Sequence, residues 1–197
     1  MRLFKKDYKT CSDEELMRLY IKGDKTAFEQ IYDRYEKFMV NFFNRKLWND
    51  RIKAEDFAHD LFTKLIDNPE LFDPERNFKA WLFSVANNMC KNEYKKQEIR
   101  KNTSYDVPEH YQGTDTADAP DKEVDKASFN QVLKSELDKL GDKHKEVFMM
   151  RHFDGLSLEE IAVALDINTG TVKSRLHHAT KTVAEKLEVF RKIILKE

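Results

Sequence analysis

The stretch LSLEEIAVALDINTGTVKSRLHHATKTVAEKL, residues 156–187, decides how the rest of the chain is read. Ser157, followed three residues later by Glu160, is a capping box: each side chain satisfies the other's backbone N–H, so a helix opens there. Ile161, Ala162 and Leu165 are the inner positions of that helix, with Ala162 small where two helices approach closely. Asp166-Ile167-Asn168 reads as a tight turn. Ile167 plugs its corner, and Asn168 or Thr169 can cap the helix that follows. Val172, Leu176, Ala179 and Val183 then recur at helical spacing and must face a core. This is the spacing of a helix-turn-helix. Gly is usual at the turn position held here by Asp166, and Asp tolerates a left-handed backbone better than most residues.

The other face of the second helix carries the function. At about 100° per residue, Gly170, Thr171, Ser174, His177, His178 and Lys181 point away from the core, flanked by Lys173 and Arg175. No acid occurs between Asp166 and Glu185. A small, hydroxyl-bearing, basic face suits a major groove, where such side chains meet base edges and phosphates.

The whole chain has 197 residues and a formal charge of -1, which on its face argues against a nucleic-acid partner. That inference fails because the charge is segregated. Two cysteines, Cys11 and Cys90, lie far apart and form no CxxC pair, so neither a metal site nor a disulfide framework is expected, and reduced thiols in the cytoplasm are the default. No apolar run approaches the roughly 18 to 20 residues of a membrane span. The start, MRLFKKDYKT, lacks the apolar stretch of a secretory signal.

Up to Lys101, aromatic and aliphatic residues recur at helical spacing. Phe28, Ile31/Tyr32, Tyr35, Phe38/Met39 and Phe42 form one such series; Phe57, Leu61 and Leu65 a second; Phe78, Trp81/Leu82, Val85 and Met89 a third. Ser12 with Glu15 is a second capping box, and Gly23-Asp24 ends one helix and starts the next. Asn68-Pro69 and Asp73-Pro74 fence a loop. Residues 102–125 differ: Pro108, Gly113 and Pro120 accompany seven acids against Lys122 alone, the texture of a linker that cannot bury enough apolar area to order itself. From 126 the pattern is helical again, with Phe129, Val132/Leu133, Leu137 and Leu140 on one face, Gly141 as a stop, and a helix from about Asp142 to His152. No alternation of period two is sustained. The expectation is an all-α chain of two small helical domains, 1–101 and 126–197, on a flexible acidic linker, 102–125.

Two more surfaces stand out in the first domain. On the helix from Phe78, a stripe of Ser84, Asn88, Lys91 and Lys95 runs beside the apolar series. Phe83, Asn87 and Tyr94 are expected opposite the core, and Lys96, Arg100 and Lys101 extend the basic end. Aromatics interleaved with amides and lysines suit unpaired DNA, with stacking worth ~1–3 kcal/mol per base. The helix AEDFAHDLFTKLI, residues 54–66, has the opposite sign. Glu55, Asp56, His59 and Asp60 with Phe62 suit a protein partner, although the macrodipole alone accounts for Glu55 and Asp56.

DEELMRLYIKGDKTAFEQIYDRY, AEDFAHDLFTKLI, FKAWLFSVANNMCKNEYKK and HKEVFMMRHFDGLSLEEIAVALDINTGTVKSRLHHATKTV, in that order, resemble a bacterial RNA polymerase sigma factor of the extracytoplasmic-function group of the sigma-70 family. The resemblance implies a promoter-specificity subunit without catalytic residues or cofactors. It implies that Glu55, Asp56, His59, Asp60 and Phe62 bind core polymerase, with Gln usual in relatives where this chain has His59. It implies that Asn88, Lys91, Asn92, Lys95 and Lys96 recognise and melt the −10 element, with a loop from Asn68 to Phe72 capturing a flipped base. Many relatives have Asp at the position of Asn92. It also implies that the last helix, through Thr171, Lys173, Ser174, Arg175, His177, His178 and Lys181, reads the −35 element. An anti-sigma protein is an implied partner, and the linker would thread polymerase channels as a nucleic-acid mimic. A conventional helix-turn-helix regulator is the second reading, disfavoured by the basic-aromatic helix outside the helix-turn-helix. An enzyme is the third: His144 and His152, or His59 with Asp60, lack triad or ligand company, and no phosphate loop or nucleophile motif occurs.

Overall fold

The computed structural model describes residues 7–103 and 133–194, and all regular structure within them is helical. Residues 104–132, with most of the expected linker and with Phe129 and Val132, lie outside the described residues. In order, α1 spans Asp13–Ile21, α2 Lys25–Lys46, α3 Arg51–Asp67 and α4 Phe78–Thr103, with a 3-10 turn at Pro69–Leu71 between α3 and α4. Then come α5 (133–138), α6 (Asp142–His152), α7 (Leu158–Leu165) and α8 (Thr169–Ile194). The chain forms two compact units, one holding α1–α4 and the other α5, α6, α8 and most of α7.

In the first unit the helix starts are written locally. Ser12 and Glu15 exchange backbone hydrogen bonds of 2.9 and 3.2 Å at the head of α1. Gly23 takes φ +97, and Asp24 accepts from the amides of Thr26 and Ala27 to open α2. Asp50 caps α3 through the Lys53 amide. The core runs through Leu16 and Met17 of α1, Ile31, Tyr35, Met39, Phe42 and Phe43 of α2, and Ala54, Ala58, Leu61 and Leu65 of α3, all buried. Phe28 and Tyr32 are half-buried, and Phe38 is exposed.

On α4 the buried series is Phe78, Leu82, Phe83, Ala86 and Cys90, with Trp81, Val85 and Met89 half-buried. The core face is therefore rotated from the one expected. Phe83 and Asn87 are buried instead of outward, and the Phe83 ring meets Phe42 edge-on at 5.3 Å. Tyr94 sits at the flank, where its hydroxyl donates to the Lys46 carbonyl and its ring packs 5.4 Å from Trp48.

In the second unit Leu137, Leu140, Phe148, Ala179 and Val183 form one buried cluster, with Leu133, Met149 and Leu176 against it. Gly141 adopts an extended conformation, φ −60 and ψ 143, and opens α6 as its N-cap. The Ser157–Glu160 capping box forms with bonds of 2.7 and 3.0 Å. Asp166 takes φ +57 in the turn between α7 and α8. Of the two possible caps, Asn168 is the one used: its side-chain oxygen accepts from the Thr171 amide at 2.7 Å.

Candidate nucleic-acid and protein interfaces

The turn at Asp166 fixes the direction in which α8 leaves α7. With Val172, Ala179 and Val183 buried, α8 exposes Lys173, Ser174, His177, His178 and Lys181, while Thr171 and Arg175 are half-buried. All seven expected residues thus reach the surface of one helix. The Thr171 hydroxyl donates to Asn168 Oδ1 at 3.0 Å, so it faces an external ligand as an acceptor. Lys181 lies 4.0 Å from Glu185, both well exposed, a pair too weakly coupled to hold the ammonium away from a phosphate.

His178 of α8 stacks on His144 of α6 with ring centroids 4.5 Å apart. Burial, then the neighbouring His178 and Arg175, hold the His144 pKa below its ordinary 6.5. The unfolded chain takes up this proton near the ordinary value, whereas the folded chain does so only at lower pH. The contribution is therefore present in full above about pH 6.5 and is lost as pH falls through the folded pKa. The thermal midpoint of the second unit is expected to drop between about pH 7.5 and pH 5.5, and His144→Gln should flatten that drop. An unchanged pH dependence in the variant, followed by circular dichroism, would rule out His144 as its source.

On α4, Asn88, Lys91, Asn92 and Lys95 are exposed and share one face. Lys96, also exposed, lies about 100° round the helix from Lys95 and serves the edge of that face. Asn68 is exposed at the end of α3, but Phe72 is not a free ring. It is 1% exposed and packs 5.1 Å from Phe78 and 5.2 Å from Trp81. The apolar side chain that the loop does present is Leu71, 60% exposed.

On α3, Glu55, Asp56, His59 and Asp60 are all exposed on the face opposite Ala54, Ala58, Leu61 and Leu65. Arg51 pairs with Glu55 at 2.6 Å, but both side chains are more than half exposed, so the pair does little to neutralise the stripe. Phe62 does not belong to it. The ring is 2% exposed and packs on Tyr32 at 4.8 Å and Phe28 at 6.4 Å. Phe62→Ala is accordingly expected to cost about 3–5 kcal/mol of stability, the range for emptying a buried aromatic site. A loss below about 1 kcal/mol in denaturant unfolding would return Phe62 to the surface. The exposed apolar residues missed in the sequence are Ile52 (75%) and Ile66 (47%). At 100° per residue they fall in line with His59, at either end of the acidic stripe. Isolated aliphatics on a polar helix face carry no sequence signal until the buried face is known.

No described helix is long and apolar enough to cross a membrane. Among the described residues no group of three or more His, Cys, Asp or Glu side chains is placed to hold a metal ion.

Comparison with known proteins gives these faces a context. Residues 31–99 match the family model described as sigma-70 region 2, and residues 131–183 match that of sigma-70, region 4. The chain is 31% identical to the ECF RNA polymerase sigma factor SigW of Bacillus subtilis, over 84% of this chain and 91% of that one. It is 27% identical to the ECF RNA polymerase sigma-E factor of Haemophilus influenzae, over 90% and 96% of the two chains. The fold is similar to that of the sigma factor RpoE of Bartonella quintana, solved with the anti-sigma factor NepR (TM-score 0.64, 25% identity, 82% of this chain and 97% of that one). It is also similar to that of CnrH, solved with the cytosolic domain of CnrY (TM-score 0.61, 21% identity, 93% and 99%).

Proposed function

Because the chain belongs to the extracytoplasmic-function sigma factors of the sigma-70 family, we propose that each of its exposed faces serves one step of promoter-directed initiation. Promoter recognition for transcription initiation is the function of the chain. The α8 face, through Thr171, Lys173, Ser174, Arg175, His177, His178 and Lys181, reads the −35 element in the major groove. The α4 face, through Asn88, Lys91, Asn92, Lys95 and Lys96, holds the −10 element, and the loop from Asn68 captures an unpaired base with Leu71 at its rim. The acidic stripe of α3, with Ile52 and Ile66 at its ends, docks on a basic helical surface of core polymerase. Residues 1–101 form the core-binding and −10 domain, 102–125 the tether and 126–197 the −35 domain. The tether lets two weak contacts act as one strong one through effective concentration.

Core polymerase supplies the chemistry, and this chain contributes none. It acts in the cytoplasm on the bacterial chromosome. The Bartonella relative is solved in complex with an anti-sigma factor; for this chain too the reading includes an anti-sigma partner, one that holds it in reserve by covering the surfaces that bind core.

The observation that carries this reading is the exposed face of α8, which lies within an acid-free stretch from 167 to 184 in a chain where 36 of 197 residues are Asp or Glu. The test mixes the purified chain with bacterial core polymerase and measures co-elution and run-off transcription from a genomic DNA library. Discrete start sites that need both components bear the reading out. Binding to duplex DNA with no association with core would instead make the chain a conventional regulator.

A further inference from the structure

The α3–α4 loop, residues 68–77, and the helix residues that flank it are tied to α1 at three points. The Tyr20 hydroxyl of α1 donates to the carbonyl of Ile66, just before the loop, at 3.3 Å. Arg18 Nη2 donates to the Pro74 carbonyl at 2.8 Å and meets the Glu75 carboxylate at 2.9 Å. Glu14 Oε1 accepts from the backbone N–H of Phe78, the first residue of α4, at 2.9 Å. As the chain runs from 66 to 78, its ties step back along α1 from 20 to 14. The Phe78 amide is one of the donors a helix start leaves without an intrahelical partner. A carboxylate there also meets the positive end of the helix dipole. Glu14 is thus a cap supplied from 64 residues away.

The brace itself is fixed. Arg34 of α2 binds Asp13 at 2.6 Å and the carbonyls of Tyr8, Lys9 and Cys11 ahead of α1, and the Tyr35 hydroxyl donates to Asp13. Phe72 anchors the middle of the loop in the aromatic cluster with Phe78 and Trp81. Ahead of that anchor the loop turns Asn68, Glu70 and Leu71 outward, and beyond it Asp73, Glu75, Arg76 and Asn77 are exposed as well. A loop held at both ends meets its ordering cost before a ligand arrives, which favours binding through preorganisation.

We infer that α1 is a brace for the base-capturing loop, with Glu14 and Arg18 as positioning residues for strand opening. This rests on the reading of the loop given above. The brace acts on opening alone: neither residue lies on the α3 stripe or on α8, so docking on core and −35 binding do not depend on them.

The test uses the full chain with core polymerase on a promoter mapped by run-off transcription. Permanganate reactivity of the −10 thymines reports opening. Arg18→Ala alters a side chain already 43% exposed and should leave the fold intact, which the thermal midpoint checks. Arg18→Ala and Glu14→Ala are each expected to lower opening at least fivefold. Glu14→Gln keeps an oxygen for the Phe78 amide and should stay within twofold of wild type. Core affinity and duplex −35 binding should stay within twofold in all three. Independently of any promoter, amide hydrogen exchange should quicken at 75–78 in Arg18→Ala. Wild-type opening by both alanine variants overturns the brace, as does a core affinity that falls in step with opening. If wild-type chain binds core but never opens the −10 thymines, the reading of the loop fails, and the brace with it.

Discussion

Ser174→Glu should reduce transcription from a −35-dependent start site at least a hundredfold while binding to core stays within twofold. With α8 proposed as the −35 helix, Ser174 sits at the centre of the exposed face, with Lys173 and Arg175 beside it. A carboxylate there faces base-edge acceptors and phosphates with no acid between 167 and 184 to have shaped the surface for it. Losing one good base contact costs ~1–3 kcal/mol, and an unpaired like-charge contact costs several more. Even ~3 kcal/mol in total is about a hundredfold in affinity. The fold is expected to survive, because Ser174 is exposed and Glu is a good helix former. Run-off transcription and gel retention of the holoenzyme on the mapped promoter decide the matter. A fall of threefold or less would remove α8 from the −35 contact.

The second large effect is expected on α3. Asp56→Lys together with Asp60→Lys reverses two charges on an exposed face that has only acids, His59 and apolar or neutral residues between Glu55 and Thr63. If a basic surface of core docks there, attraction becomes repulsion, worth several kcal/mol, and affinity for core should drop at least a hundredfold. Neither residue is buried, so the thermal midpoint should move by only a few degrees, as for ordinary surface changes. Co-elution with core, or displacement of labelled wild-type chain, gives the answer. If the double variant competes as wild type does, core docks elsewhere.

Local signals were the most legible part of the sequence. Both capping boxes, Ser12–Glu15 and Ser157–Glu160, form their reciprocal bonds, because a cap depends on residues within one turn. The span of α6 and the left-handed Asp166 follow from equally short-range chemistry. The phase of α4 was less legible. Trp81, Leu82 and Phe83 are consecutive and apolar, so periodicity fixes the pitch of the stripe but leaves its rotation to the neighbouring helices. Phe42 of α2 selects Phe83. The same holds for Phe62, adjacent to Leu61: Phe28 and Tyr32 cover its flank, which the α3 sequence does not reveal. Phe72 was harder still, since a loop residue is buried only by partners the loop does not contain. The Glu14–Phe78 tie joins residues with no local relation at all. The basic and acidic faces were legible because surface charge is not displaced by packing.

The turn before α3 has a consequence for how this chain tolerates change. Trp48 and Asn49 are consecutive and both left-handed, φ +58 and +59, with no glycine at either position. Such a conformation is costly for a bulky residue and persists only where its surroundings over-determine it. Here the surroundings are the Tyr94 ring at 5.4 Å and the Lys53 ammonium over the indole at 5.4 Å. Positions 48, 53 and 94 are therefore expected to change together. Drift at Tyr94 or Lys53 leaves the tryptophan paying strain without support, and glycine becomes the favoured replacement at 48. Across descendants of this sequence, an aromatic at 48 should travel with an aromatic at 94, and glycine at 48 should appear where that aromatic is lost.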